Sequence, residues 1–122
     1  MTIKRSSAKA KARIAQNWVA QKISDLTGLS WGKDQPIRPR EMGQSGVDVS
    51  LDREAQELFP FSVEAKWTEK WQVHEAIKQA MSNQKKDTDW LVILRRSRHP
   101  YVAILDAEVF FKLVELSNEE VK

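Results

Sequence analysis

From Val47 onward the chain changes period, and that change limits the fold more than any other feature. Val47, Val49 and Leu51 alternate with Asp48, Ser50 and Asp52, and Phe61, Val63, Ala65 and Trp67 alternate with Ser62, Glu64 and Lys66. Period two is the spacing of half-buried strands. Residues 53–60 connect the two, with Pro60 at the start of the second strand, where a missing amide is tolerated. Two five-residue apolar runs, Trp90 to Leu94 and Tyr101 to Leu105, read as central strands joined by the polar turn Arg96-Ser97-Arg98-His99-Pro100. Helical spacing surrounds them. Ala15, Trp18, Val19, Ile23 and Leu26 predict an amphipathic helix over about residues 7–27 with Gly28 as its stop. Val73, Ile77, Ala80 and Met81 predict a second over about 71–84, and Asp106 caps a last helix whose Val109, Phe110, Leu113 and Val114 form an apolar face. The predicted order is α, β, β, α, β, β, α, with a short edge strand around Ile37. It corresponds to one α/β domain over 1–122, a central mixed sheet flanked by helices, with flexible ends at 1–7 and 117–122.

Composition removes several alternatives. A chain of 122 residues without cysteine has no disulfide scaffold, cysteine metal site or thiol nucleophile. With 41% hydrophobic residues it is too apolar to stay disordered. No apolar run is long enough to span a bilayer, and none follows the basic Met1–Ala10 stretch as a signal peptide requires, so the expected location is intracellular, in the cytoplasm. The net charge of +3 is unevenly placed: residues 1–40 hold nine Lys/Arg against two acids, +7, and residues 41–122 hold eleven against fifteen, −4. A one-sided basic segment is the footprint of an anionic partner, nucleic acid above all, or simply a solvated tail. Lys9, Lys11 and Arg13 lie on the first helix; Lys33, Arg38 and Arg40 lie in a long glycine- and proline-rich stretch, 29–46, read as a basic loop able to follow phosphates or as a linker. Arg95 and Arg96, with His99, form a second basic cluster.

The chemistry-bearing segment is Gly46-Val47-Asp48-Val49-Ser50 followed by Ser62-Val63-Glu64-Ala65-Lys66. A simple antiparallel hairpin centred on residue 56 places Asp48 opposite Glu64, Gly46 opposite Lys66 and Val49 opposite Val63. All apolar side chains then share one face, and Asp48, Glu64 and Lys66 share the other, with cross-strand neighbours roughly 5 Å apart. Two carboxylates that close need a positive charge between them. Mg²⁺, with Mn²⁺ as a substitute, is held by one or two carboxylates plus waters and phosphate oxygens, which is what so sparse a site offers. Adjacent carboxylates favour a charged ammonium, so Lys66 suits orienting water or stabilising developing charge, and the metal is the better activator. The other reading of these residues is a solvated hairpin face with a Glu64–Lys66 ion pair. Glu120-Val121-Lys122 repeats the triplet at an acidic terminus without a partner aspartate on a strand.

Asp48, then Glu64-Ala65-Lys66, then a helix bearing Gln79, resembles the core of the PD-(D/E)XK nuclease superfamily, in particular its archaeal-type and phage Holliday junction resolvases, over about residues 8–105. The resemblance implies a restriction-endonuclease-like fold and an Mg²⁺-dependent endonuclease that cuts DNA four-way junctions or other branched DNA, as a homodimer, in recombination and repair. It implies that Asp48, Glu64 and the main-chain carbonyl of Ala65 ligate the metal and that Lys66 is the catalytic lysine. Ser45 and Gly46 match small residues leading into the first catalytic strand, and Gln79 matches a supporting glutamine. Val47 stands where the motif has proline. The first helix has no acid before Asp25, where archaeal-type resolvases carry a glutamate; Gln16 is the nearest polar candidate and Glu41 an alternative.

Among the remaining candidates, His74 and His99 are too differently placed for a metal pair, and Ser50 and Ser62 have no histidine partner for nucleophilic catalysis. Trp67 and Trp71 bracket the expected site and are positioned to stack on a base. Phe110 and Phe111 offer a dimer contact or pack on the sheet. Two other functions fit the same residues: a non-catalytic DNA-binding module with a nuclease fold, and a nuclease of that fold acting on linear DNA.

Overall fold

The computed structural model describes residues 5–40 and 46–121, with side chains at 7–40 and 46–120. The elements run α1 (Arg5–Thr27), β1 (Ile37–Pro39), β2 (Val49–Leu51), α2 (Arg53–Leu58), β3 (Phe61–Trp67), α3 (Val73–Ser82), β4 (Asp89–Arg95), β5 (Val102–Leu105) and α4 (Ala107–Val121). Together they form an α/β arrangement: a three-stranded mixed sheet, a two-stranded antiparallel sheet and flanking helices.

The mixed sheet has the order β3-β4-β5, with β3 parallel to β4 and β4 antiparallel to β5. A parallel pair needs a crossover, and α3 supplies it. β4 is the central strand and is buried on both sides, which explains its unbroken apolar run. Ile93 faces the layer of α1 with Val63 and Ala65, whereas Val92 and Leu94 face α3 with Ala76 and Ala80. β5, expected to be central, is the edge strand.

On α1 the buried residues are Ala15, Val19, Ala20 and Ile23, with Trp18 packed beside them. Gly28 stops the helix as its sequence position predicts: its φ is +77° and its N–H donates to Ser24 O at 2.8 Å. Leu26, expected on the apolar stripe, is 76% exposed. The line Ala15-Val19-Ile23 continues four residues on to Thr27, whose hydroxyl donates to Ile23 O at 2.8 Å. Val73 and Met81 are likewise exposed on α3, because the contact line there runs through Ala76 and Ala80.

The expected hairpin between the strands at 47–51 and 61–67 does not form. β2 pairs with β1 instead, Ile37 opposite Leu51 and Pro39 opposite Val49, and the ladder extends through Arg40 N–H to Asp48 O at 2.7 Å and Asp52 N–H to Pro36 O at 2.9 Å. Residues 53–58, expected to be a connection, are the helix α2; Asp52 is its N-cap, accepting Ala55 N–H at 2.9 Å. The short edge strand expected around Ile37 within the long stretch 29–46 is β1, and over 29–40 it is tied down by the bridge of Trp31 to Ile37, which is fully buried.

Asp106 accepts the N–H of Glu108 at 2.8 Å at the start of α4, as expected of a cap. The helix continues to Val121, so the end predicted to be flexible, including the second Glu-x-Lys triplet up to Val121, is helical. Phe110, Phe111, Leu113, Val114 and Leu116 on it are all exposed.

An alternating column of cations and rings crosses the α1 side. Lys22 lies 5.3 Å over Trp18, Trp18 stacks on Tyr101 at 3.9 Å, and the Arg95 guanidinium lies 4.8 Å from Tyr101 and 4.2 Å from Trp67. Lys11 closes the column 5.7 Å over Trp67. Such contacts contribute about 0.5–2 kcal/mol each according to their exposure.

The Asp52 cap gives a direct test of the unexpected helix. Asp52→Ala should lower stability to chemical denaturation by about 1 kcal/mol, and Asp52→Asn, which keeps the acceptor, should stay close to the native chain.

Candidate functional site

Asp48 stands where the two sheets meet. Its N–H donates to Val63 O at 3.0 Å and its Oδ2 accepts the N–H of Ala65 at 2.7 Å, so one aspartate takes the place of a neighbouring strand along the edge of β3. The N–H and C=O of one extended residue point to the same strand edge, which puts the Ala65 carbonyl on the side of Asp48. The other oxygen, Oδ1, lies 2.9 Å from Arg40 Nη2, the residue directly opposite in the β1–β2 ladder, while Arg40 Nη1 donates to Gly46 O at 2.9 Å.

Glu64 reaches the same place from β3. Alternation along that strand puts Val63 and Ala65 on the α1 side and Ser62, Glu64 and Lys66 on the other. Asp48 and Glu64 are 1% and 2% exposed, so neither is the solvated carboxylate of an open hairpin. Lys66 Nζ lies 3.7 Å from Glu64 Oε1 and stays partly exposed. Neither Asp48 Oδ1 nor Glu64 Oε2 has a hydrogen-bond partner among the described residues; the Arg40 contact is an ion pair. Buried carboxylate oxygens without hydrogen-bond donors are the arrangement a divalent cation satisfies, so the donor set fits one. Among the described residues no three His, Cys, Asp or Glu side chains converge, so a cation here would rest on two carboxylates, a main-chain carbonyl and water.

A cavity of about 220 Å³ opens onto this pair. Gln16, 6% exposed on α1, and Gln79 on α3 line it together with Arg40, Asp48, Glu64, Ala65 and Lys66. Both glutamines expected at the site are thus brought to the carboxylates by the fold. Ala8 and Ala12, not among the expected site residues, also line the cavity. Their signal was the four-residue spacing Ala8-Ala12-Gln16, a small-residue face that leaves the cavity open. Ser45 and Glu41 lie outside the described residues.

The basic residues divide. Arg13 and Lys33 line an adjoining cavity with Gln16 and Arg40. Arg40, expected on phosphate, is bound to Asp48, and Arg38 donates to Gln35 O at 2.7 Å. Arg95, also expected on phosphate, is held between Trp67 and Tyr101, and Lys11 lies over Trp67. Lys9 and Arg96 are exposed. Trp67 lines the site cavity, whereas Trp71, half-buried, packs against the cluster of Ala76, Ala80, Val92 and Leu94. His74 is exposed on α3, and His99 Nδ1 lies 2.9 Å from Ser97 O within its own turn. Ser62 is structural: its hydroxyl contacts Thr88 Oγ1 at 2.7 Å and accepts Lys85 N–H at 2.9 Å.

Burial dominates the electrostatics. It lifts Asp48 above the ordinary carboxylate value, against the opposing pull of the Ala65 amide and Arg40. Burial, reinforced by the negative charge of Asp48, pushes Glu64 from 4.5 up to about 7, against the pull of Lys66. A group whose pKa is raised on folding contributes stability that is complete below its unfolded value and is lost as pH rises through the folded value. With EDTA present, the native chain should therefore lose melting temperature between about pH 5 and pH 8. Glu64→Gln, which cannot ionise, should flatten that dependence and be the more stable protein at pH 8, by on the order of 3 kcal/mol. Thermal melts of both proteins across that range provide the check.

No protein-family model, curated protein or solved structure matches this chain.

Proposed function

We propose that this chain is an Mg²⁺-dependent endonuclease of restriction-endonuclease-like fold that hydrolyses DNA phosphodiester bonds, with Mn²⁺ able to substitute. The observation that carries the reading is the burial of Asp48 and Glu64 side by side, with Glu64 Oε2 lacking a hydrogen-bond partner among the described residues, in a cavity that Lys66 also lines. The resemblance to Holliday junction resolvases supplies the finer substrate, a DNA four-way junction or other branched DNA. A homodimer follows from the need for two symmetric cuts by a chain with one site, and the exposed apolar side chains of α4 are available for the contact. The cytoplasm of a bacterial or phage-infected cell is the corresponding location. No described helix is long and apolar enough to cross a membrane.

Asp48, Glu64 and the Ala65 carbonyl would hold the cation, which when bound lowers the pKa of water and offsets charge developing on the phosphate. The Ala65 amide and Arg40 fix the two oxygens of Asp48 in direction. Lys66, partly exposed and 3.7 Å from Glu64, presents an ammonium to the attacking water or to a phosphate oxygen. Gln79 and Gln16 line the same cavity from opposite helices, and their amides suit holding water there.

One observation favours a second reading, a DNA-binding module without turnover. Each carboxylate already has its own cation, and Gln16 occupies the α1 face where an acid would complete a larger metal set.

A labelled four-way junction and a matched linear duplex, each with Mg²⁺ or EDTA, separate the readings. The native protein should nick the junction in pairs with Mg²⁺ and not with EDTA. Asp48→Asn, Glu64→Gln and Lys66→Met should each lose about 10²–10⁴-fold in rate while still binding the junction. Mg²⁺ should raise the melting temperature of the native chain and not of Asp48→Asn. Binding without cleavage would favour the module, and equal cutting of linear DNA would discard branch selectivity while keeping the chemistry.

A further inference from the structure

A second cavity, of about 410 Å³, adjoins the carboxylate cavity and shares Gln16 and Arg40 with it. Its remaining wall is Arg13, Asn17, Trp31, Gly32, Lys33 and Pro39. Of the three cations among its described lining residues, Arg40 is paired with Asp48, which leaves Arg13 and Lys33 to face an anion with no carboxylate in the wall. Its size falls within the roughly 300–1,000 Å³ of small-molecule sites. Trp31 is held in place, since its Nε1 donates to Gln21 Oε1 at 2.8 Å and residue 31 bridges to Ile37. With the indole N–H committed, what Trp31 offers a ligand is its ring. Asn17 adds an amide that both donates and accepts, the pattern that reads the edge of a base. Aromatic face, amide and cations in one cavity match the three parts of a nucleotide: base face, base edge and phosphate.

A base inside a duplex presents only its edges, and its faces are covered by its neighbours. The ring of Trp31 in a cavity is usable only by a base that has left the stack. We propose that this cavity receives one unpaired nucleotide of the DNA strand, adjacent to the phosphate held over Asp48 and Glu64. Trp31 stacks on the base, Asn17 meets its edge, and Arg13 and Lys33 take its phosphate. The pocket deepens the endonuclease reading by giving it a structural reason to prefer DNA that is not fully paired. It rests on that reading only for its position next to the scissile bond.

Equilibrium binding in EDTA tests it, with two DNAs of one sequence, a fully paired duplex and the same duplex carrying a single unpaired 2-aminopurine. The native protein should bind the second more tightly and quench its fluorescence. Trp31→Leu should weaken that binding about ten-fold and abolish the quenching, Trp31→Phe should retain most of both, and none should change affinity for paired duplex. Trp31 is half-buried, so the exposed pair Arg13→Ala/Lys33→Ala serves if Trp31→Leu does not fold: it should weaken the unpaired DNA more than the paired. Equal affinity of the native protein for both DNAs, or parallel losses on both in the variants, would overturn the pocket. Quenching of Trp31 by deoxyadenosine monophosphate, with no preference for unpaired DNA, would assign it to free nucleotides and overturn it as a strand site. Cleavage of the same DNAs with Mg²⁺ reports on the endonuclease separately: absent cleavage with intact quenching removes the nuclease and keeps the pocket.

Discussion

One carboxylate joins the two halves of this molecule. Asp48 donates its N–H to β3, accepts an amide of β3 on its side chain, gives its carbonyl to Arg40 across the β1–β2 ladder and receives the Arg40 guanidinium. Few residues could replace it, because the role needs a short side chain with an acceptor placed where a strand carbonyl would be. The same bonds fix the orientation of the oxygen that faces the cavity. Structural and chemical demands on Asp48 therefore coincide, and a variant such as Asp48→Asn tests chemistry because its remaining oxygen can still accept from Ala65.

Glu64 is the opposite case. Nothing in the sheet requires an acid in the middle of a strand whose neighbours Val63 and Ala65 are core residues, and its burial raises its pKa to about 7. A hydrophobic residue of similar volume there would be easier to fold around. Local disagreement of this kind between sequence and surroundings is expected at functional positions, where stability yields to chemistry.

The period-two strands, the α1 stripe, the Gly28 stop and the Asp106 cap were legible because each depends on neighbours within a few residues. α2 was not. Six residues with one buried side chain, Ala55, give too short a window for helical periodicity, and only the Asp52 cap marks its start. The partner of β2 is not legible in the sequence, because alternation says which side chains share a face and nothing about which strand lies alongside. Asp48 still meets Glu64, through a side-chain bond to β3 rather than through a continuous ladder. Likewise Arg40 reads as a basic loop residue, and its place beside Asp48 follows from a ladder register that no local pattern encodes. The apolar stripe of α4 was visible, but its exposure is a property of where the helix leaves the sheet.

The column of cations and rings acts as a vernier for α1. Because Trp18 sits flat on Tyr101, with Lys11 and Lys22 seated over the two outermost rings, the helix cannot slide along the sheet by part of a turn without breaking several contacts at once. Ala8, Ala12 and Gln16 ride on the same rigid rod, so the aperture above the carboxylates is set by stacking that occurs up to about three turns of helix away. The cleft takes its gauge from the α1 side of the sheet, through Trp67 in its own wall and a tyrosine that does not line it.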